Sequence, residues 1–91
     1  MSQDLPETMH LKVIGPRKMA VDEKVKEVYL PGLDGYLGIL PGHRPLNTFL
    51  GKGELSFGVK GSLQRIPIEG GYAHIFPDQV LVFVQFSEHE A

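Results

Sequence analysis

Hydrophobic and polar residues alternate along several short runs of the chain, at residues 9–13, 55–59 and 65–69. Successive side chains of a β-strand point to opposite faces, so an alternating run buries one face and exposes the other. Residues 80–84 are apolar at every position and rich in β-branched side chains. This run is predicted to be a central strand that is covered on both sides.

Glycine and proline interrupt these runs about every 8–12 residues, a spacing that is typical of sandwiches and barrels. The interruptions are Gly15-Pro16, Pro31-Gly32, Asp34-Gly35, Pro41-Gly42, Gly51-Lys52-Gly53, Lys60-Gly61-Ser62, Gly70-Gly71 and Pro77-Asp78. No window shows a helical stripe of apolar residues. The pattern predicts an all-β fold: a small β-sandwich of two packed, mostly antiparallel sheets with roughly eight to ten short strands.

Two segments are harder to interpret from the pattern. Residues 21–29 suit either a helical turn or two strands, and we favour two strands around a turn at Asp22–Lys24. Pro67 lies inside an alternating run, and proline cannot donate to a β-ladder. Its strand is therefore predicted to be an edge strand, or Pro67 to mark a bulge.

The chain of 91 residues is predicted to form one domain. Residues 9–86 carry the strand pattern, whereas the polar termini 1–8 and 87–91 are predicted to be flexible. The net charge of −2 does not favour binding to nucleic acid. No apolar run reaches the roughly 20 residues of a membrane span, so any contact with a membrane is expected to go through a partner.

The residue types of the chain give little support for a catalytic or metal-binding site. The chain has no cysteine, which excludes disulfides and thiolate metal sites. No serine lies in a recognisable nucleophile motif. The four histidines are His10, His43, His74 and His89, of which only His89 has close acidic neighbours, Glu88 and Glu90. We expect no catalytic residue, no cofactor and no metal.

One long motif carries a resemblance to a known family. Residues 30–46 read Leu-Pro-Gly-Leu-Asp-Gly-Tyr-Leu-Gly-Ile-Leu-Pro-Gly-His-Arg-Pro-Leu. This run is similar to the Gly-x-x-Gly-x-Leu-Gly-Ile-x-Pro-Gly-His-x-Pro-Leu signature of the ε subunit of F-type ATP synthases. Residues 51–55 and 70–82 also resemble that family, so the likeness spans roughly residues 9–86.

The resemblance implies a non-catalytic rotor subunit of the central stalk, which docks on the γ subunit and the membrane ring of c subunits and couples ion-driven rotation to ATP synthesis or hydrolysis. It implies a peripheral position on the cytoplasmic face of the bacterial plasma membrane. The residues expected to face the c-ring are Leu33, Asp34, Gly35 and Tyr36. Those expected to face γ lie in or after a proline-stiffened segment and are Pro41, His43, Arg44, Leu46 and Thr48.

Two departures from the family shape these expectations. The family often has a second acidic residue where this chain has Tyr36, so ring contact is expected to be less salt-sensitive than usual. The family commonly continues into a C-terminal helical hairpin that inhibits hydrolysis, whereas this sequence ends at Ala91. The chain is therefore expected to lack that regulatory arm.

The alternative is a small β-sandwich that binds peptide or carbohydrate. Such modules usually expose aromatic platforms, and the chain has five phenylalanines, three tyrosines and no tryptophan. Alternation predicts that most of these side chains lie in strand cores. Tyr29, Tyr36 and Tyr72 are the remaining platform candidates, and they are scattered along the sequence.

Overall fold

A computed structural model describes residues 6–59 and 61–86 of the chain. These residues form eight β-strands and no helix, which confirms the all-β prediction and its strand count. The strands are β1 (Met9–Ile14), β2 (Met19–Val25), β3 (Glu27–Gly32), β4 (Gly35–Ile39), β5 (Leu46–Leu50), β6 (Gly53–Val59), β7 (Ser62–Phe76) and β8 (Gln79–Phe86).

The strands form two layers. The five-stranded layer has the order β2-β1-β8-β7-β5, and the four-stranded layer has the order β4-β3-β6-β7. Every neighbouring pair is antiparallel except β1 and β8, which run parallel. The layers are continuous with each other through β7 and through one pairing between β3 and β5, Gly32 with Leu50. The structure therefore confirms a mostly antiparallel sandwich.

The longest strand, β7, belongs to both layers. Its first half pairs with β6, and its second half pairs with β5 and β8. The register shifts between Ile68 and Gly70, where the strand bends from one layer to the other. At Gly71 the φ angle is 152°, and a Cβ there would lie 2.0 Å from the carbonyl oxygen of Phe83. Only glycine permits so close an approach of the two backbones.

One apolar cluster fills the space between the layers and receives side chains from all eight strands. The apolar residues of the alternating runs that are buried there, as predicted, include Met9, Leu11, Val13, Leu55 and Phe57. Val59 was also predicted to point inward, but it is 37% exposed. It is the last residue of β6 and pairs with Ser62 at the end of the β6–β7 hairpin.

The segment 21–29 forms two strands, as favoured, but the predicted position of the turn is wrong. Asp22–Lys24 lies inside β2, and the break falls at Lys26. The chain crosses there from the five-stranded to the four-stranded layer, and the Lys26 N–H donates to the carbonyl of Gly58 at 2.9 Å. Val25 thus enters the core from the five-stranded layer, and Val28 enters it from the four-stranded layer.

The interpretation of residues 80–84 is confirmed in one respect and wrong in another. Strand β8 is central, between β1 and β7. Its inward valines are buried, but Leu81 and Phe83 on the other face are only half-buried, because residues 6–59 and 61–86 form two layers and none of them makes a third layer over this face. Pro67 lies on the outer edge of the four-stranded layer, as predicted. The proposed flexibility of residues 1–5 and 87–91 falls outside the described residues.

Candidate functional site

The motif at residues 30–46 folds into the β3–β4 hairpin and the segment that leads to β5. Gly32 pairs with Gly35, so Leu33 and Asp34 form a two-residue loop. Gly35 has a φ of 127°, which suits glycine in such a tight loop. Leu33 is 69% and Tyr36 64% exposed. All four residues predicted to face the c-ring therefore lie together on one exposed tip.

Tyr36 is held against the four-stranded layer although its ring is exposed. Its hydroxyl accepts a hydrogen bond from the backbone N–H of Glu54 at 3.0 Å. Tyr36 pairs with Pro31 across the hairpin, and a Cβ on Gly53 would lie 2.9 Å from both Pro31 and the hydroxyl. The tyrosine thus offers an apolar ring in a fixed position at this tip.

The proline-rich segment 41–45 lies at the other end of β4 and is tied to the body of the sandwich. The Gly42 N–H donates to the carbonyl of Pro77 at 2.7 Å, and the His43 N–H donates to the carbonyl of Leu40 at 3.1 Å. His43 Nδ1 is 2.6 Å from the carbonyl oxygen of Arg44, so the donor is the Nδ1 proton. These bonds tie the segment to the β7–β8 turn and to its own backbone, and the stiffness expected from the prolines stays a prediction.

The residues predicted to face γ are not gathered at one place. Leu46 and Thr48 line an open groove of about 470 Å³ together with Leu33 and Tyr36. Pro41, His43 and Arg44 do not line this groove and lie near the β7–β8 turn instead.

The sequence analysis missed an exposed aromatic cluster on the outer surface of the five-stranded layer. We define the aromatic face as Phe49, Tyr72, His74 and Phe83. The ring centroids of Phe49 and Tyr72 are 6.3 Å apart, and those of Tyr72 and Phe83 are 5.2 Å apart. The Tyr72 and His74 rings are 5.2 Å apart and meet edge to face. His74 Nδ1 lies 2.7 Å from the amide oxygen of Asn47.

The prediction that most aromatic side chains lie in strand cores is wrong. Among the phenylalanines and tyrosines, only Phe57 is fully buried. A signal for the aromatic face was present, because Ala73 and Ile75 are buried and alternation then turns Tyr72 and His74 outward.

Two titratable groups have shifted pKa values. The hydrogen bond from His10 to Asp22, across β1 and β2, holds the pKa of the Asp22 carboxyl below its ordinary value. The hydrogen bond from the Tyr29 hydroxyl to Glu27 at 2.8 Å raises the pKa of Tyr29. Asp22 is exposed and Tyr29 is half-buried, and each shift has a local partner, which is typical of structural pairs rather than of catalytic groups.

Residues 6–59 and 61–86 contain no group of three or more histidine, aspartate or glutamate side chains placed to hold a metal ion. The cluster of His89 with Glu88 and Glu90 lies outside the described residues. Within the described part of the chain, no helix is long and apolar enough to cross a membrane.

The described residues define a small β-sandwich with an exposed hairpin tip and an aromatic face on one outer surface. Residues 8–90 match the family described as ATP synthase, Delta/Epsilon chain, beta-sandwich domain. The chain belongs to this family, as the motif at residues 30–46 predicted.

Relatives of the chain carry matching names. It is 40% identical over 84 residues to the ATP synthase epsilon chain of Solibacter usitatus, a match that covers 92% of this chain and 63% of the relative. It is also 40% identical over 81 residues to the epsilon chain of Prochlorococcus marinus, covering 89% of this chain and 60% of that one. The chain thus spans less than two thirds of the length of these relatives.

Solved structures agree on the fold. A chain in the Euglena gracilis mitochondrial ATP synthase, solved as OSCP/F1/c-ring, superposes with a TM-score of 0.83 at 22% identity. The match covers 92% of this chain and 54% of that one. A chain in the central stalk/c-ring of the Tetrahymena thermophila mitochondrial ATP synthase superposes with a TM-score of 0.72 at 14% identity and covers 91% of this chain and 66% of that one.

Proposed function

We propose that this chain is a non-catalytic central-stalk subunit of an F-type ATP synthase. Its β-sandwich docks on the γ subunit and on the c-ring and helps couple ion-driven rotation of the ring to ATP synthesis or hydrolysis. The observation that carries this proposal is the family match across residues 8–90, with relatives that are named ATP synthase epsilon chains. The match favours this role over the peptide- or carbohydrate-binding alternative.

The hairpin tip suits docking on the polar loops of a membrane ring. Leu33 and Tyr36 supply exposed apolar surface, and Asp34 supplies one negative charge for basic side chains of the ring. Because the loop has only two residues and Tyr36 is hydrogen-bonded to Glu54, little flexibility is lost on binding. We assign contact with the c-ring to Leu33, Asp34, Gly35 and Tyr36.

Contact with γ is assigned to the anchored segment with Pro41, His43 and Arg44, and to Leu46 and Thr48 on β5. The bond from Gly42 to Pro77 keeps this segment in one conformation, and pre-organisation of this kind favours binding. In this role the subunit lies on the cytoplasmic face of a bacterial plasma membrane and meets the membrane only through the complex. We assign no inhibitory role to the β-sandwich.

Reconstitution with an ATP synthase prepared without its epsilon chain tests the proposal. The synthase of Solibacter usitatus is suitable, since its own epsilon chain is 40% identical to this chain. We expect the chain to bind the α3β3γ core and to raise proton pumping that is coupled to hydrolysis when the membrane sector is present. Asp34→Lys should weaken binding to the isolated c-ring, whereas Arg65→Ala, on the outer surface of the four-stranded layer, should not. Absence of binding to both γ and the ring would contradict the proposed role.

A further inference from the structure

The loop at the hairpin tip contains a chemically reactive pair of residues. Asp34 is followed by Gly35, and this is the one position in the chain where an aspartate or an asparagine precedes a glycine. The backbone nitrogen that follows an aspartate can attack the side-chain carboxyl carbon and close a five-membered ring. Glycine permits this attack most readily, because it has no Cβ to obstruct it and its backbone rotates most freely.

The fold leaves this pair open to the reaction. Leu33 and Asp34 form the two-residue loop between β3 and β4, and both Asp34 and Gly35 are exposed. Apart from its chain neighbours, no atom lies within 4 Å of the position that a Cβ on Gly35 would occupy. The rest of the sandwich therefore does not crowd the Gly35 peptide, and water has direct access to it.

The β7–β8 turn provides an internal comparison. Asp78 is the second residue of a two-residue loop and is exposed, as Asp34 is. The residue after Asp78 is Gln79, which has a Cβ. The carbonyl of Asp78 also accepts a hydrogen bond from the backbone N–H of His10 at 2.9 Å, which restrains its peptide. The two aspartates thus share a loop position and differ in the features that control ring closure.

We propose that Asp34 is a site of spontaneous isomerisation to isoaspartate through a succinimide formed with Gly35. The Gly35 nitrogen bonds to the Asp34 carboxyl carbon, and the carboxyl hydroxyl leaves with the amide proton as water. Water then opens the ring at one of its two carbonyl carbons and returns a proton to the nitrogen. Attack at the side-chain carbon restores aspartate, whereas attack at the main-chain carbon gives isoaspartate. One water is released and one consumed, so the mass does not change.

The product has a longer loop and a shorter acidic side chain. Isoaspartate adds one carbon atom to the main chain between Gly32 and Gly35, and its free carboxylate is attached directly to Cα. Because loop length and turn type fix the register of a hairpin, the added atom should disturb the pairing of these two glycines. It should also displace Tyr36, whose hydroxyl accepts a hydrogen bond from the N–H of Glu54.

Ageing of the purified chain in heavy-oxygen water tests this inference. The chain is kept at neutral pH and physiological temperature, and its peptides are then separated and weighed. We expect the peptide with Asp34 to gain one heavy oxygen and to split into two peaks of equal mass, one of which resists cleavage by endoprotease Asp-N. The peptide with Asp78 is the internal control and should react about tenfold more slowly or less, since Gln79 has a Cβ.

Two variants of the same position test the mechanism. Asp34→Asn forms the same ring with loss of ammonia, which leaves more readily than water at neutral pH, so it should react faster than the wild type. Asp34→Glu keeps the charge but would have to close a six-membered ring, so it should gain no heavy oxygen. If Asp34 reacts no faster than Asp78, or if Asp34→Glu reacts like the wild type, the inference is overturned.

The reaction itself does not depend on the proposed function, although it falls at the tip that we assign to the c-ring. Mixing fresh and aged chain with the isolated c-ring keeps the two proposals apart. We expect the ring to retain the aspartate form and to leave the isoaspartate form unbound. Isomerisation in a chain that never binds the ring would support this inference and contradict the ring contact. Equal binding of both forms would contradict the expected disturbance of the loop.

Discussion

The two outer surfaces of the sandwich have opposite chemistry although they cover the same core. On the four-stranded layer, Arg65 Nε lies 3.9 Å from a carboxylate oxygen of Glu54, and the Tyr29 hydroxyl donates to Glu27. The five-stranded layer instead presents the aromatic face, with rings in contact and no charge at its centre.

The alternation of a strand therefore does not determine which type of side chain it places on its outward face. Both layers follow the period of two and bury the inward half of their side chains. On the four-stranded layer, Arg65 pairs with Glu54 and Tyr29 with Glu27. The aromatic face leaves apolar area exposed. The two layers therefore differ in how much apolar area their outer surfaces expose, although their strand patterns are the same.

The largest expected effect comes from substituting the same residue type in the core and on an outer surface. Phe57→Ala removes a ring that is 2% exposed and should lower the free energy of unfolding by about 3–5 kcal/mol. Phe49→Ala removes a ring that is 68% exposed and should cost about 1 kcal/mol or less. Urea denaturation measures both. Equal losses would mean that Phe49 contributes to the fold as much as Phe57 does.

The next effect concerns the bend that separates the two layers. Gly71→Ala would bring a Cβ to 2.0 Å from the carbonyl oxygen of Phe83 and should destabilise the chain by about 3 kcal/mol. Gly61→Ala is the control, since its φ is 81° but no atom lies within 4 Å of the added Cβ. Gly61→Ala should lower the free energy of unfolding by about 1–2 kcal/mol, from backbone strain alone. Thermal unfolding of the two variants separates the effect of backbone strain from that of the steric clash. Equal losses of stability in Gly71→Ala and Gly61→Ala would contradict a steric role of Gly71 at the bend.

A smaller effect is expected at the hairpin tip, which extends from the four-stranded layer. Tyr36→Glu would place a second carboxylate beside Asp34, so binding to the c-ring should become more salt-sensitive than in the wild type. Tyr36→Phe removes only the hydroxyl that Glu54 uses and serves as the control. Ring binding at low and high salt measures the difference. A wild type that already loses binding steeply with salt would refute the expectation for Tyr36.

The smallest effect concerns the edge of the five-stranded layer. The pKa of Asp22 is lowered in the folded chain by its hydrogen bond with His10. The carboxylate therefore stabilises the fold above its ordinary pKa of 3.8, and this contribution is lost as the pH falls through the lower folded value. The melting temperatures of the wild type and Asp22→Asn should converge in acid. Glu23→Gln, at the next position of the same strand, is the control. If it changed the pH dependence of the melting temperature as much as Asp22→Asn does, the effect could not be assigned to the hydrogen bond between Asp22 and His10.

Much of the fold follows from local rules. Period-two alternation placed Leu11 and Leu55 in the core, and Pro67 correctly indicated an edge because it cannot donate to a ladder. The break at Lys26 was missed because its cause is not local. Charged residues at positions 22–24 are typical of a turn, yet here they lie on an edge strand, where charge is also favoured.

The candidate site could be predicted where a tight loop determines it and not where distant strands do. The hairpin tip follows from Asp34 and Gly35, whose residue types suit a two-residue loop. The aromatic face needs β5, β7 and β8 to become neighbours, which brings Phe49, Tyr72 and Phe83 together from widely separated positions. Alternation assigns each ring to a side of its own strand, but it does not tell which strands share a layer.

Strand β7 has a mechanical consequence for a protein in a rotating assembly. Its 15 residues run from the edge of the four-stranded layer to a position between β8 and β5 in the five-stranded layer. A load applied to one layer therefore reaches the other along covalent bonds, and does not have to pass through the side-chain contacts of the core. The backbone at the bend beside Gly71 therefore resists shear between the layers, which in the proposed rotor role would favour transfer of torque from one layer to the other.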